Sequence, residues 1–227
     1  MSKRELFLVS GGSGGIGSAV CVELAERGFT PIIGYYRNQT AAETMARQTG
    51  GIALALDMNS RESISAACAT LAAMDQKLAG VVLAGSPPPD LKPFGQISAE
   101  EMIQQWQVNV LGPQQLLAEL VRHCFRKNKS GCVVGILTSA MGSGIGSTAA
   151  NMSSYVTAKY GMLGLLSALA ADYPWLRVRS VSPGYTDTPM LATFDERFLE
   201  MKRAQNAIST PKEIAVNIIV EALGNGS

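Results

Sequence analysis

The 227 residues hold a single histidine, His123, and four cysteines without one Cys-x-x-Cys pair. One histidine cannot build an imidazole-based metal site, and cysteines at these spacings outline neither a zinc cage nor a disulfide framework. Cys21, Cys68, Cys124 and Cys132 sit in apolar surroundings and read as buried reduced thiols of a cytosolic protein. No metal is expected. Neither sign of charge is in excess, since 19 Lys and Arg meet 18 Asp and Glu for a net +1. That balance gives no electrostatic case for nucleic acid or a membrane surface and leaves small molecules as the expected partners. No apolar run approaches the length that spans a bilayer, and the start Met1-Ser2-Lys3-Arg4-Glu5 has no long apolar stretch of the secretion-signal type. A cytoplasmic location is the expectation.

Glycine and apolar residues are abundant, at 23 glycines and 47% hydrophobic content, enough for a sizeable core. The stretch that organises the chain is Leu6–Ser10 followed by Gly11-Gly12-Ser13-Gly14-Gly15-Ile16-Gly17. A short apolar strand emptying into close-set glycines and then a helix lets the backbone turn tightly and points free N–H groups at a phosphate. Gly11, Gly15 and Gly17 leave three residues between the first two, so this is not the plain G-x-G-x-x-G spacing. A dinucleotide or other phosphate ligand is expected where the first helix starts, near Ser18.

Strand and helix patterns then alternate. Strands are expected at 31–35, 52–56, 81–84, 132–137 and 178–181, with helices at 41–48, 60–76, 98–129, 152–171 and after Thr210-Pro211-Lys212-Glu213. Ser98 with Glu101 makes a capping box for the longest of these, and Gly112-Pro113 should kink or divide it. Helix-length crossovers between apolar strands give a Rossmann-type doubly wound parallel α/β sheet with helices on both faces. The expectation is six strands in one domain, 1–227, with a long excursion at about 184–209.

Chemistry in such a sheet belongs at the C-terminal strand ends. The fifth strand ends at Thr138-Ser139, and the following helix carries Tyr155-Val156-Thr157-Ala158-Lys159. Tyrosine and lysine four apart share a helical face, and an ammonium beside a phenol should lower the phenol's pKa from its usual value. Ser139 could hold a substrate oxygen by hydrogen bond.

These motifs resemble the compact short-chain dehydrogenase/reductase family over nearly the whole chain. Ser10-Gly11-Gly12-Ser13-Gly14-Gly15-Ile16-Gly17 is similar to its cofactor loop, and Tyr155 with Lys159 to its Tyr-x-x-x-Lys. Ser139 matches the serine before it, Asn109 the supporting asparagine of the fourth helix, and Pro183-Gly184-Tyr185-Thr186-Asp187-Thr188 the nicotinamide-side segment. The resemblance implies Tyr155 as general acid in reduction, Lys159 lowering its pKa and holding the nicotinamide ribose, Ser139 orienting the carbonyl, and Asn109 completing a proton relay. It implies cofactor contacts from Ser10, Gly11, Ser13, Gly15, Ile16, Gly17, Asp57, Met58, Ala84, Gly85, Tyr155, Lys159, Pro183, Gly184, Thr186 and Thr188. Asp57 could equally cap the third helix. Tyr35-Tyr36-Arg37-Asn38 has no carboxylate to bind a ribose diol and one guanidinium, Arg37, to bind a phosphate, which favours NADPH/NADP+ over NADH.

Three departures stand out. The family's Asn-Asn-Ala-Gly is here Val82-Leu83-Ala84-Gly85, without the polar side chains that brace that loop. The Ser139-to-Tyr155 interval is extended through a glycine-rich loop, which leaves Ser143 and Ser147 as alternatives for the serine. The chain stops at Ser227, shortly after the last helix, so the family's usual seventh strand is expected to be missing. The pattern resembles the 3-oxoacyl-[acyl-carrier-protein] reductase branch, which implies a ketoreductase of fatty acid or polyketide biosynthesis, a homodimer or homotetramer packed through the long helical segments, and an acyl carrier protein as a partner. Arg122, Arg126, Lys127 and Lys129 would meet that carrier protein, or else serve as solvated helix-end charges. The resemblance implies that the 184–209 excursion is a substrate lid, to which Met190, Leu191, Phe194, Phe198, Leu199 and Met201 offer an apolar surface. Oxidation of a secondary alcohol, or a non-catalytic NADP(H)-binding scaffold or sensor, are the competing readings.

Overall fold

A computed structural model describes residues 4–224. Six parallel strands, β1 (Leu6–Ser10), β2 (Thr30–Tyr35), β3 (Ile52–Ala55), β4 (Leu78–Leu83), β5 (Cys132–Ile136) and β6 (Arg177–Val181), stand in the order β3-β2-β1-β4-β5-β6. The order reverses between β1 and β4, so the strand ends part there and leave a crevice for a ligand. Pairing runs Val9↔Val82 and Ser10↔Leu83 across that point, and Val81↔Val133 beyond it.

Alternation along the strands splits the core in two. Leu6, Leu8 and Val81 face one layer with α3 (Arg61–Ala72), α5 (Gly112–Leu120) and α6 (Ser153–Asp172); Phe7, Val9 and Val82 face the other with α1 (Gly15–Glu26) and α8 (Pro211–Leu223). All five β1 residues are buried, as a central strand covered on both faces requires. The helix α2 (Gln39–Thr49) is capped by Asn38, the expected capping box Ser98/Glu101 forms on α4 (Ala99–Trp106), and a second box, Thr210/Glu213, opens α8.

Several boundaries differ from the sequence expectation. The first helix begins at Gly15, because its opening turn needs only free N–H groups and small residues. The long helical region is not one helix: α4 gives way to a wide π turn at Gln107–Leu111, then α5, then a second π turn at Val121–Phe125. Pro113 explains the first of these, since it has no N–H to give the carbonyl four residues back, that of Asn109. The excursion after β6 is ordered. Two-residue strands β7 (Tyr185–Thr186) and β8 (Ile208–Ser209) pair in parallel at its base, and α7 (Glu196–Ala204) lies between them. Among the described residues no helix is long and apolar enough to cross a membrane and no cluster suits a metal ion. The thiols are free, and burial pushes Cys21, Cys68 and Cys132 up to about 12.

Candidate active site

The glycine turn is built by contact rather than by composition. Gly11 has a φ of +65°, and a Cβ there would lie 2.7 Å from the Cα of Gly85. A Cβ on Gly17 would lie 2.2 Å from the Gly11 carbonyl oxygen, so helix and turn touch backbone to backbone. Ser10 Oγ accepts from the N–H groups of both Ala84 and Gly85, at 3.2 and 3.3 Å, tying β1 to β4 where the order reverses. The first turn of α1 has neither a capping side chain nor an acidic residue, which suits an anion.

Beside it, a cavity of about 280 Å³ opens at the strand ends. Ile16 and Ala84 reach it from the cofactor-loop side, Ser139, Tyr155 and Lys159 from β5 and α6, and Pro183, Gly184, Thr186 and Thr188 from the segment after β6. Ser10, Gly11, Ser13, Gly15 and Gly17 form the adjoining turn, while Gly85, Asp57, Met58, Arg37 and Asn109 do not line the cavity. Arg37 follows the C-terminal end of β2, the strand next to β1, its guanidinium 4.6 Å from the Tyr36 ring centroid and donating to Tyr36 Oη at 3.2 Å. Met58 is buried, and its carbonyl accepts from Gln107 Nε2 at 3.3 Å. Asp57 does not cap α3; its carboxylate accepts from the backbone and side chain of Asn59, and Ser60 caps the helix.

Tyr155 is 7% and Lys159 2% exposed, with the ammonium nitrogen 5.4 Å from the phenol ring centroid. The expected lowering of Tyr155 by Lys159 is corrected here. Burial dominates, pushing the phenol up to about 12 against a hydrogen bond from the Thr138 side chain, and pulling Lys159 down to about 7. Lys159 Nζ donates to the Ile136 carbonyl at 2.9 Å, a fixed dipole in place of water. Unfolding therefore takes up a proton between about pH 7 and the lysine's usual range, and this group's contribution to stability rises with pH across that window. A Lys159→Met variant removes the dependence. Thermal melts should show its Tm, relative to wild type, falling by several degrees from pH 7 to about pH 9.5.

Asn109 is fully buried in the π turn. Its Nδ2 donates to the backbone carbonyl and to Oε1 of Gln105, both at 3.0 Å, and its Oδ1 has no hydrogen-bond partner among the described residues. Ser139 donates its backbone N–H to the Pro183 carbonyl at 2.8 Å, which locks β5 to the segment beyond β6. Of the two alternative serines, Ser147 also lines the cavity but its Oγ holds its own loop, accepting from the N–H groups of Ser143 and Gly144 at 2.8 and 2.9 Å, and Ser143 is exposed and does not line it.

Only part of the lid surface faces the cavity. Met190, Leu191 and Phe194 line it; Phe198 packs on Tyr185 and Phe194, Leu199 is buried beneath, and Met201 is exposed. Sequence reasoning missed Thr138, Tyr185 and the Ser86–Pro89 wall. The clue for Thr138 was its place beside Ser139 at the strand end. The triple proline offered none, having no polar side chain.

A doubly wound sheet with a glycine turn at its switch point and a Tyr/Lys/Ser cavity beside it defines a nucleotide-dependent oxidoreductase fold. The chain belongs to the short chain dehydrogenase family, which it matches over residues 5–198. It is 30% identical over 206 residues to a sorbose reductase from Schizosaccharomyces pombe, covering 86% of this chain and 78% of that one. It is 27% identical over 234 residues to an acetoacetyl-CoA reductase from Acinetobacter sp., covering 96% and 90%. A 3-ketoacyl-(acyl-carrier-protein) reductase from Brucella melitensis, solved with NADH, superposes with a TM-score of 0.87 at 20% identity over 98% of this chain and 93% of that one, a likeness of fold.

Proposed function

We propose that the protein is an NADPH-dependent carbonyl reductase, cytoplasmic, acting as one catalytic unit over 1–227 with its lid at 184–209. The observation that supports this most is the juxtaposition of Tyr155, Ser139 and Lys159 in one cavity that adjoins the Gly11–Gly17 turn. The residues fit a dinucleotide: an uncapped helix start for the pyrophosphate, a turn with no room for a Cβ at Gly11 or Gly17, and a cleft at the switch point. When bound, the nicotinamide supplies the hydride.

The chain's own residues do the rest. Ser139 Oγ holds the carbonyl oxygen as charge develops on it. Tyr155 Oη, protonated at neutral pH as any phenol is and the more so for its burial, donates the proton. Lys159, its pKa near neutrality and one N–H anchored on Ile136, is placed to replenish the phenol and to hold the ribose. Asn109 offers the buried acceptor Oδ1 for a relay water. Asp57, Met58, Ala84, Gly85, Thr186 and Thr188 complete the cofactor contacts.

The substrate class that fits best is a ketone with an apolar arm, with a 3-oxoacyl thioester as the first candidate, because Met190, Leu191 and Phe194 form one wall. The acyl-CoA relative supports this; the sugar reductase supports a polar ketone. An acyl carrier protein would meet Arg122, Arg126, Lys127 and Lys129. Exposed Ile103, Leu111, Tyr160 and Leu163 on the α4–α6 faces suit a homodimer. NADPH oxidation against sugars, small diketones and 3-oxoacyl thioesters tests the assignment. Turnover favouring the thioesters supports it, and turnover on sugars alone overturns that substrate class.

Arg37 carries the cofactor preference. Removing the guanidinium removes the only cation of the Tyr35–Asn38 stretch. Arg37→Ala should raise the Kd for NADPH about 10-fold and leave NADH within about twofold. Fluorescence titration with both cofactors reads the difference.

A further inference from the structure

We propose that Gln105 is a positioning residue that ties the Ser86–Asp90 wall of the cavity to the helix bearing Asn109 and sets the direction of the Asn109 amide. The inference rests on the reductase reading above.

The wall contains Pro87, Pro88 and Pro89, three successive residues with no N–H, so its middle can be anchored only through carbonyls and the rest through Ser86 and Asp90. The strand end before it, Val82-Leu83-Ala84-Gly85, supplies no polar side chain. Ser86 Oγ bonds locally to the Pro87 carbonyl at 3.2 Å. Two bonds reach outward. Gln105 Nε2 donates to the Pro88 carbonyl at 2.7 Å, and Ser154 Oγ, on the residue before Tyr155, donates to Asp90 Oδ2 at 3.1 Å. Gln105 and Ser154 are each 1% exposed. Ser86 and Pro89 line the cavity, so the helices bearing Asn109 and Tyr155 both pin one wall of the reaction chamber.

The polarity of the chain is dictated by atoms that cannot change role. A proline carbonyl only accepts, so the Gln105 atom facing Pro88 is its nitrogen and the other is its oxygen. That oxygen accepts from Asn109 Nδ2 at 3.0 Å, and the Gln105 backbone carbonyl, again acceptor only, takes the second Asn109 proton at 3.0 Å. Both Asn109 donors are thereby engaged and Oδ1 is left as the acceptor. The backbone carbonyl of residue 105 and the proline carbonyl, the latter acting through the Gln105 side chain, together hold the relay amide in this direction.

Two substitutions separate this from simple packing. Gln105→Glu is isosteric, but as a carboxylate it sets oxygen against the Pro88 carbonyl; once protonated it can again donate to Pro88 and accept from Asn109. Its kcat on a ketone substrate, relative to wild type, should be down about 10-fold near pH 8 and recover to within about threefold near pH 6. Gln105→Leu should be down about 10-fold at every pH, with the Kd for NADPH within about twofold of wild type in both variants. Kinetics within twofold of wild type at all pH for both variants, or a Gln105→Glu profile parallel to wild type, overturns the proposal. A second readout is independent of turnover. The Asn109 side-chain amide signals in 15N NMR, assigned with Asn109→Asp, should be exchange-protected and should shift in Gln105→Leu. If the wild type reduces no ketone, the functional reading fails, and these signals still decide Gln105: a shift supports the tie, unchanged signals overturn it.

Discussion

A Tyr155→Phe variant should bind NADPH as the wild type does and lose about 10³-fold in kcat, read by cofactor oxidation under saturating ketone. The phenol lines the cavity and is protonated at neutral pH, burial only raising its pKa further above the usual tyrosine value. Phenylalanine keeps the ring and its packing against the surrounding core, so the loss reports the hydroxyl alone. Wild-type melting behaviour accompanied by a fall of less than about 10-fold would move the proton donor elsewhere, to Ser139 or to water.

The second large effect concerns the turn. Gly17→Ala should weaken NADPH binding by at least about 100-fold and destabilise the fold by about 1–3 kcal/mol. Its Cβ meets only backbone, 2.2 Å from the Gly11 carbonyl oxygen, 2.8 Å from the Gly11 carbonyl carbon and 3.0 Å from the Gly12 Cα, so no side chain can swing away to relieve it. Either α1 withdraws from the turn or the turn opens, and both move the helix N-terminus from the phosphate. Gly14→Ala is the control. It has an ordinary negative φ, and its Cβ would meet only the Gly11 carbonyl oxygen at 3.2 Å, so it should cost little in binding. Calorimetric titration compares the two.

Much of this was legible in the sequence for physical reasons that differ by element. Short apolar strands covered on both faces announce themselves as runs such as Leu6–Val9 and Val81–Leu83, and strand–glycine–helix spacing carries its own geometry. Helix starts are local, so the Ser98 capping box and the Thr210 cap form as read. The π turns were not legible, since five residues of wide helix leave no separable period; only Pro113, four beyond Asn109, hints at the first. Asp57 was weighed as a cap because a carboxylate before a helix often is one, but Ser60 stands at the helical boundary itself. The strands β7 and β8 are two residues each, below any pattern.

The electrostatics of the Tyr/Lys pair depended on depth, which spacing does not encode. Four residues apart on one helical face promises mutual support, yet both groups are sunk in the core and burial drives their pKa values toward neutral forms. The Gln105 tie was hidden for the same reason. A glutamine inside Glu-Glu-Met-Ile-Gln-Gln-Trp-Gln reads as solvated, and only the fold turns that position inward.

The most direct test of the central claim is a single-turnover experiment with NADPH deuterated at C4, mixed with excess 3-oxoacyl thioester or diketone, the product being examined by mass spectrometry and NMR. A reductase places deuterium on the former carbonyl carbon with wild-type enzyme and places none there on the same timescale with Tyr155→Phe. NADPH that binds saturably and stays unoxidised with every ketone tried, or a Tyr155→Phe variant that transfers deuterium as fast as wild type, would contradict the account.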